Sequence, residues 1–190
     1  LVRDVSWATV LDRLLYGHTD AAHMIAPLAI ATTLGRGRPA QPLSVPFVLG
    51  LNGNAVTLRT GLADQVCPPG VLGDPAVVGA ALAQVARERP LRFGVVHRYS
   101  SHNYMLRYWL AACGVDRDRF ETVTVPPPYC ADALESGEVD GICVGEPWNS
   151  VAVERGAGRI VLATAQIWRR GVEKVLAVRE NVLEDRRERF

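Results

Sequence analysis

The sequence predicts an α/β fold with two lobes, each containing a sheet rich in parallel strands. Three observations support this prediction. Strand-like and helix-like segments alternate along most of the 190 residues. Residues 92–114 read as a strand, a polar turn and an amphipathic helix. A short unit of Gly-x-x-Asp, apolar strand and proline occurs twice, beginning at Gly17 and at Gly137, which are 120 residues apart.

The first predicted element is an amphipathic helix that Ser6 caps and Gly17 ends. Its apolar residues follow the i, i+3, i+4, i+7, i+8 spacing of a helix with one buried face. They are Trp7, Val10, Leu11, Leu14 and Leu15. The patterns then predict strands at 19–25, 43–51 and 55–59, a brief helix at 28–34, a loop at 60–75 and a helix from Pro75 to Pro90. Because Asn52-Gly53 is a strong hairpin signal, strands 43–51 and 55–59 are expected to pair.

The second half of the chain continues the alternation. The predicted strands are 92–96, 120–125, 139–145, 159–164 and 174–179, and the predicted helices run from Ser101 to Gly114, from Tyr129 to Ser136 and from Pro147 to Gly156. The charged end of the chain, 179–190, is typical of a solvated helix. In parallel α/β sheets, ligands bind beyond the carboxyl ends of the strands.

The repeated unit divides the chain into two predicted lobes. Residues 1–90 and 166–190 are assigned to the first lobe, and residues 91–165 to the second. The two strand ends, at Ala26-Pro27 and at Gly145-Glu146-Pro147, would then form opposite walls of a cleft, where ligand sites are common.

The composition excludes several classes of function. Twenty-one Lys and Arg balance 20 Asp and Glu, so the net charge is +1, and the sequence has no basic run apart from its charge-balanced end. We therefore expect no direct nucleic-acid partner. No apolar run reaches the ~18 residues that a membrane-spanning helix needs. The four cysteines lie 46, 17 and 13 residues apart, which matches neither a zinc site nor a CxxC motif. We therefore expect buried thiols and no metal or redox cofactor.

The turn before the central helix is a candidate anion site. Ser100 and Ser101 are N-cap residues, and a helix N-terminus presents unpaired N–H groups and the positive end of the helix dipole. His102 and Asn103 add side-chain donors at that point. The alternative is a plain strand-to-helix connection with an exposed histidine.

The chain resembles the family of nitrate and bicarbonate solute-binding proteins in six strings, which are spread along nearly its whole length. They are SWATVLDRLLYGHTDAAHMIAP, LNGNAVTL, SSHNYMLRYWLAACGV, VPPPY, VDGICVGEPWN and GVEKVLAV. The family contains ABC-transporter binding proteins and cytoplasmic nitrate/nitrite sensors that pair with an RNA-binding antiterminator. The resemblance implies a two-lobed, periplasmic-binding-protein-like (type II) fold. Because family members begin with a further strand, it also implies that the chain is an internal fragment.

The resemblance implies a set of residues around the bound anion. They are Trp7, Asn54, His102, Val144, Gly145, Glu146 and Lys174. His102 and Lys174 are the donors that a planar monoanion needs, and Trp7 would lie against its face or pack in the core. Because Glu146 would repel an anion, we assign it to holding Lys174 or His102 in position, or to starting the next helix. Transport members tend to have glutamine where Asn54 stands, and the shorter amide needs a shifted backbone or a water to reach the ligand.

The expected ligand is nitrate or nitrite. Bicarbonate-binding members carry a carboxylate near the lysine position and use calcium, whereas Val172-Glu173-Lys174 keeps a cation there. A shift of one residue would put Glu173 at that position and favour bicarbonate.

The expected function is binding without catalysis. An enzyme of the same fold, such as a thiamine-pyrimidine synthase, needs a cysteine-rich iron motif, which this sequence lacks. The expected partners are the permease and ATPase of an ABC transporter, or an antiterminator protein. The lack of a recognisable secretion signal and the unpaired cysteines favour the cytoplasmic sensor over the periplasmic component.

Overall fold

The structure is a computed structural model that describes residues 1–70 and 72–185. It divides into two compact units. Unit 1 consists of residues 1–52, 99–101 and the C-terminal residues from 170 onwards, and unit 2 consists of residues 53–98 and 102–169. The end of the predicted C-terminal helix, 186–190, lies outside the described residues.

The helices and strands follow the predicted alternation closely. The strands are β1 (Ala21–Ile25), β2 (Leu43–Leu51), β3 (Asn54–Arg59), β4 (Leu91–Val95), β5 (Phe120–Thr124), β6 (Gly141–Gly145), β7 (Gly158–Ala163) and β8 (Val172–Arg179). The helices are α1 (Trp7–Leu15), α2 (Ala26–Thr33), α3 (Thr60–Val66), α4 (Pro75–Glu88), α5 (Ser101–Ala112), α6 (Cys130–Glu135), α7 (Trp148–Glu154) and α8 (Glu180–Asp185). In the described part of the chain, no helix has both the length and the apolar character needed to cross a bilayer.

Unit 1 is built on a three-stranded sheet of order β1-β8-β2. The central strand β8 runs antiparallel to both neighbours. Helix α1 begins at its N-cap Ser6, whose hydroxyl accepts a hydrogen bond from the Thr9 amide, and it buries Leu11 and Leu14. The observed α1 therefore matches the helix predicted from the spacing of its apolar residues.

Unit 2 is built on a five-stranded sheet of order β5-β4-β6-β3-β7. Strand β4 runs parallel to β5 and β6, whereas β3 runs antiparallel to β6 and β7. Helices α4 and α5 contribute Leu82, Leu106 and Leu110 to the core, which also contains Phe93 of β4; all four are fully buried. This core fixes the strand-turn-helix segment that the sequence identified as central.

The α/β class is confirmed, but the strand directions differ from the prediction. We expected a parallel-rich sheet in each lobe, whereas the sheet of unit 1 is antiparallel and that of unit 2 is mixed. The difference comes from β3 and β8, each of which runs antiparallel to both of its neighbours. An apolar run indicates a buried strand, but it does not encode the direction of that strand.

The division of the chain also differs from the predicted lobes. Residues 53–90, which we assigned to the first lobe, belong to unit 2, because β3 pairs with β6 and β7. Asn52 and Gly53 do adopt left-handed conformations, with φ of 52° and 80°. However, the turn connects two different sheets instead of closing a hairpin between β2 and β3. The predicted loop 60–75 contains α3, which buries Leu62 and Val66.

A glycine in β6 offers a direct test of the packing in unit 2. A Cβ added at Gly141 would lie 2.7 Å from Cδ2 of Leu58 and 2.9 Å from Cε1 of Phe93, both fully buried. We therefore expect Gly141→Ala to lower the free energy of unfolding by about 1–3 kcal/mol, measured by urea denaturation. Gly61→Ala is the matched control, because no atom lies within 4 Å of its added Cβ. Equal stability of the two variants would contradict the observed packing.

Candidate functional site

Lys174 is the chain's only lysine, since the other 20 of its 21 basic residues are arginines. It lies in the central strand β8, opposite Ile25 of β1 and Gly50 of β2. Its Nζ lies 5.3 Å from the centroid of the Trp7 ring and donates a hydrogen bond of 2.7 Å to Oε1 of Glu173. The ammonium group is thus held between an aromatic ring and a carboxylate.

Glu173 is one of the most deeply buried charged side chains of unit 1, with a relative exposure of 2%. Its second carboxylate oxygen, Oε2, accepts a hydrogen bond from the hydroxyl of Ser101. A buried carboxylate is tolerated when it is paired and hydrogen-bonded, and Glu173 has both kinds of partner. The sequence treated Glu173 only as an alternative to Lys174, whereas the structure uses the two side chains together.

Trp7 stands in the first turn of α1 and contributes a buried polar group. Its ring contacts that of His23 edge-on, with 5.8 Å between centroids. Its Nε1–H is buried and has no hydrogen-bond partner within the described residues. A buried donor without an acceptor is costly, so this N–H is available to a ligand. We call Trp7, His23, Ser101, Glu173 and Lys174 the lysine group; all five belong to unit 1.

A second cluster, in unit 2, contains His102 and Asn54. His102 lies in the first turn of α5, and its Nε2 is 2.8 Å from Oδ1 of Asn54, the first residue of β3. The alternative of an exposed histidine is wrong, because His102 is only 1% exposed and Asn54 only 4%.

The turn after β6 stands beside the same cluster. Gly145 lies opposite Asn54 in the ladder between β3 and β6, and Val144 precedes it. The carboxylate of Glu146 accepts hydrogen bonds from the backbone N–H and the hydroxyl of Ser150, at 3.2 and 2.8 Å. Glu146 thus occupies the helix-start role that the sequence offered as its alternative. We call Asn54, His102, Val144, Gly145 and Glu146 the histidine group.

A buried polar network that the sequence did not predict holds the histidine group. Asn149 is fully buried, donates to the carbonyl of Val144 at 2.8 Å and accepts from the hydroxyl of Thr57 at 2.9 Å. The hydroxyl of Thr164 donates to the carbonyl of Asn54 at 3.0 Å. Asn149 is the last residue of the string GEPWN, but the sequence pattern alone does not indicate a role for its amide. A satisfied network of this kind fixes the backbone of the turn.

Neither cluster has the composition of a metal site. Across residues 1–70 and 72–185, no group of three or more His, Cys, Asp and Glu side chains could hold a metal ion. Burial raises the pKa of the Cys130 thiol to about 12. Burial also raises the pKa of Cys113, with a smaller contribution from Asp74. These two thiols are therefore protonated and unreactive at neutral pH.

Known proteins are similar to the chain along nearly its whole length. A model of the NMT1-like family matches residues 1–190. The nitrate import ATP-binding protein NrtC of Synechocystis sp. is 38% identical over 182 residues, which are 95% of this chain and 26% of that protein. The bicarbonate transport ATP-binding protein CmpC of the same organism is 38% identical over 186 residues, with the same coverage of 95% and 26%.

A crystal structure of the periplasmic nitrate-binding protein NrtA from Synechocystis PCC 6803 superposes with a TM-score of 0.85 and 27% identity. It aligns with 97% of this chain, which covers 48% of NrtA. This likeness confirms the predicted periplasmic-binding-protein-like fold. The chain thus spans between about a quarter and a half of the length of these relatives.

The sequence shared with the relatives and the names of those relatives bear on the predicted partners and on the predicted location. The stretch shared with the ATP-binding proteins has no P-loop, because the only lysine of the chain is followed by Val175 instead of Ser or Thr. The names of the relatives describe transport components, and NrtA is described as periplasmic. They give no support to an antiterminator partner or to the cytoplasmic location that the sequence favoured.

The pKa of His23 provides a test of the lysine group. Burial, and secondarily the positive charge of Lys174, lower this pKa below its usual 6.5. The unfolded chain therefore binds more protons at this residue, and stability should fall as the pH drops below about 6.5. Urea denaturation of the wild type and of His23→Gln, from pH 8 down to about pH 5, measures the difference. The variant should lose this part of the pH dependence, whereas His18→Gln, at an exposed position, should retain it. A wild-type pH profile in His23→Gln would contradict the placement of His23.

Proposed function

Because the chain belongs to the NMT1-like family, we propose that it is the anion-binding part of a solute-uptake protein and that its ligand is nitrate or nitrite. The observation that carries the proposal is the position of Lys174, held over the Trp7 ring in the lysine group. The relatives' names favour the permease and ATPase of an ABC transporter as partners.

The lysine group offers what a planar monoanion requires. Nitrate has only acceptor oxygens, so its site must supply donors. Lys174 has three N–H donors and makes one hydrogen bond within the described residues, to Glu173. Trp7 adds its buried Nε1–H. A charge-assisted hydrogen bond of this type contributes roughly 1.5 to 3 kcal/mol.

The histidine group is the second set of side chains that we assign to anion binding. His102 stands in the first turn of α5, where the helix dipole favours a negative charge. Its contact with Asn54 fixes the orientation of the ring, and the network through Asn149 fixes the neighbouring turn. Such side chains bind without prior rearrangement, which lowers the entropic cost of association. We propose binding as the function of both groups, with no bond made or broken.

Bicarbonate with calcium is the second candidate ligand. It is favoured by Glu173, whose carboxylate is an acceptor for the hydroxyl that bicarbonate has and nitrate lacks. The 38% identity to CmpC equals that to NrtC, so overall identity does not separate the two ligands. The cation at Lys174 favours nitrate, because it neutralises an anion directly.

Calorimetric titration of the full-length protein with nitrate and nitrite tests the proposal. We expect His102→Ala and Lys174→Met each to weaken binding about tenfold to a hundredfold. His18→Ala is the matched control, because His18 is exposed and lies in neither group. It should bind as the wild type does.

Two outcomes would contradict parts of this proposal. Heat with bicarbonate that requires calcium, and none with nitrate or nitrite, would replace the ligand. Wild-type affinity in both variants would remove both groups from the binding site.

A further inference from the structure

We propose that Glu173 makes the lysine group selective for singly charged anions, a role that rests on the proposed anion-binding function. Glu173 itself touches no anion in this scheme. It acts by positioning Lys174 and by cancelling its charge.

The geometry fixes this carboxylate next to the only lysine. Oε1 of Glu173 accepts from Nζ of Lys174, and Oε2 accepts from the hydroxyl of Ser101. With 2% exposure, the carboxylate is shielded from water and from the counterions that would screen its charge. A charge on this carboxylate therefore acts on Lys174 with little screening.

The charges of the lysine group sum to zero near neutral pH. Lys174 and Glu173 contribute one positive and one negative charge, and they are 2.7 Å apart. His23 is the remaining titratable side chain of the group, and its lowered pKa keeps it neutral at pH 7. An ion beside Lys174 thus meets the hydrogen-bond donors of a cation without an excess of positive charge.

A group without net charge is expected to bind singly charged anions more tightly than doubly charged ones. The cost of removing an ion from water rises with the square of its charge, so a doubly charged ion needs a surplus of positive charge to compensate it. The attraction to Lys174 and the repulsion by Glu173 both double with the charge of the ion and largely cancel, so the desolvation cost decides. A monoanion has the smaller desolvation cost and still accepts hydrogen bonds from Lys174 and Trp7. The group is therefore expected to accept nitrate and to reject sulfate.

A purely structural role of Glu173 makes a different prediction. Loss of a residue that only supports the fold would weaken the binding of every anion by a similar factor. Selectivity, expressed as the ratio of the Kd for sulfate to the Kd for nitrate, separates the two roles.

Glu173→Gln is the informative variant, because glutamine has the same shape and retains an acceptor oxygen but has no charge. We expect the ratio of the sulfate Kd to the nitrate Kd, measured by calorimetry on the full-length protein, to fall about tenfold or more in this variant. Glu121→Gln is the control, since it makes the same change of net charge in an exposed ion pair with Arg92. Its ratio should equal that of the wild type.

Three results would overturn the inference. A wild-type protein that binds sulfate as tightly as nitrate overturns the inference, and this measurement needs no variant to fold. A ratio that is unchanged in a folded Glu173→Gln also overturns it, while leaving nitrate binding itself intact. A wild type that binds neither ion overturns the proposed function, and this inference with it.

Discussion

The ion pair between Glu173 and Lys174 is the constraint that fixes the lysine group of unit 1. Both residues belong to β8, the central strand, which holds β1 on one side and β2 on the other. Removing one member of a buried pair leaves an uncompensated charge, which typically costs roughly 3–5 kcal/mol. The same pair also places the ammonium group over Trp7. One contact thus both satisfies a buried carboxylate and positions the cation.

Unit 2 achieves a similar result with neutral groups. Strand β3 begins at Asn54, which contacts His102 through its side chain and Thr164 through its carbonyl. Asn149 holds the turn at Val144 by donating a hydrogen bond to the carbonyl of that residue. Binding side chains need such support from satisfied partners to hold a productive geometry. These buried polar residues therefore support the side chains of the histidine group.

Sequence patterns predicted the elements of this fold better than their pairing. The spacing of Trp7, Leu11 and Leu14 specified α1, because helix periodicity is local. The Asn52-Gly53 turn formed with the expected backbone, yet the partner of β3 lies nearly 90 residues further along the chain, in β6. Local turn chemistry carries no information about such a distant strand.

The candidate site shows the same difference between local and distant information. Successive residues of a strand point to opposite faces, so a sequence pattern offers either Glu173 or Lys174 for a site, but not both. The long side chain of Lys174 turns back and joins the two. The resemblance supplied His102 and Asn54 as separate residues, and the hydrogen bond between them joins positions 48 residues apart in sequence.

The use of arginine at every other basic position gives Lys174 a special chemical status. A guanidinium is planar and tends to engage a carboxylate with two parallel hydrogen bonds, whereas an ammonium group can give one donor to Glu173 and turn the others elsewhere. The same composition means that amine-specific reagents have a single side-chain target in this chain. Reductive methylation with isotopically labelled formaldehyde would place one side-chain methyl label at Lys174, and magnetic resonance could then follow this position without an engineered tag.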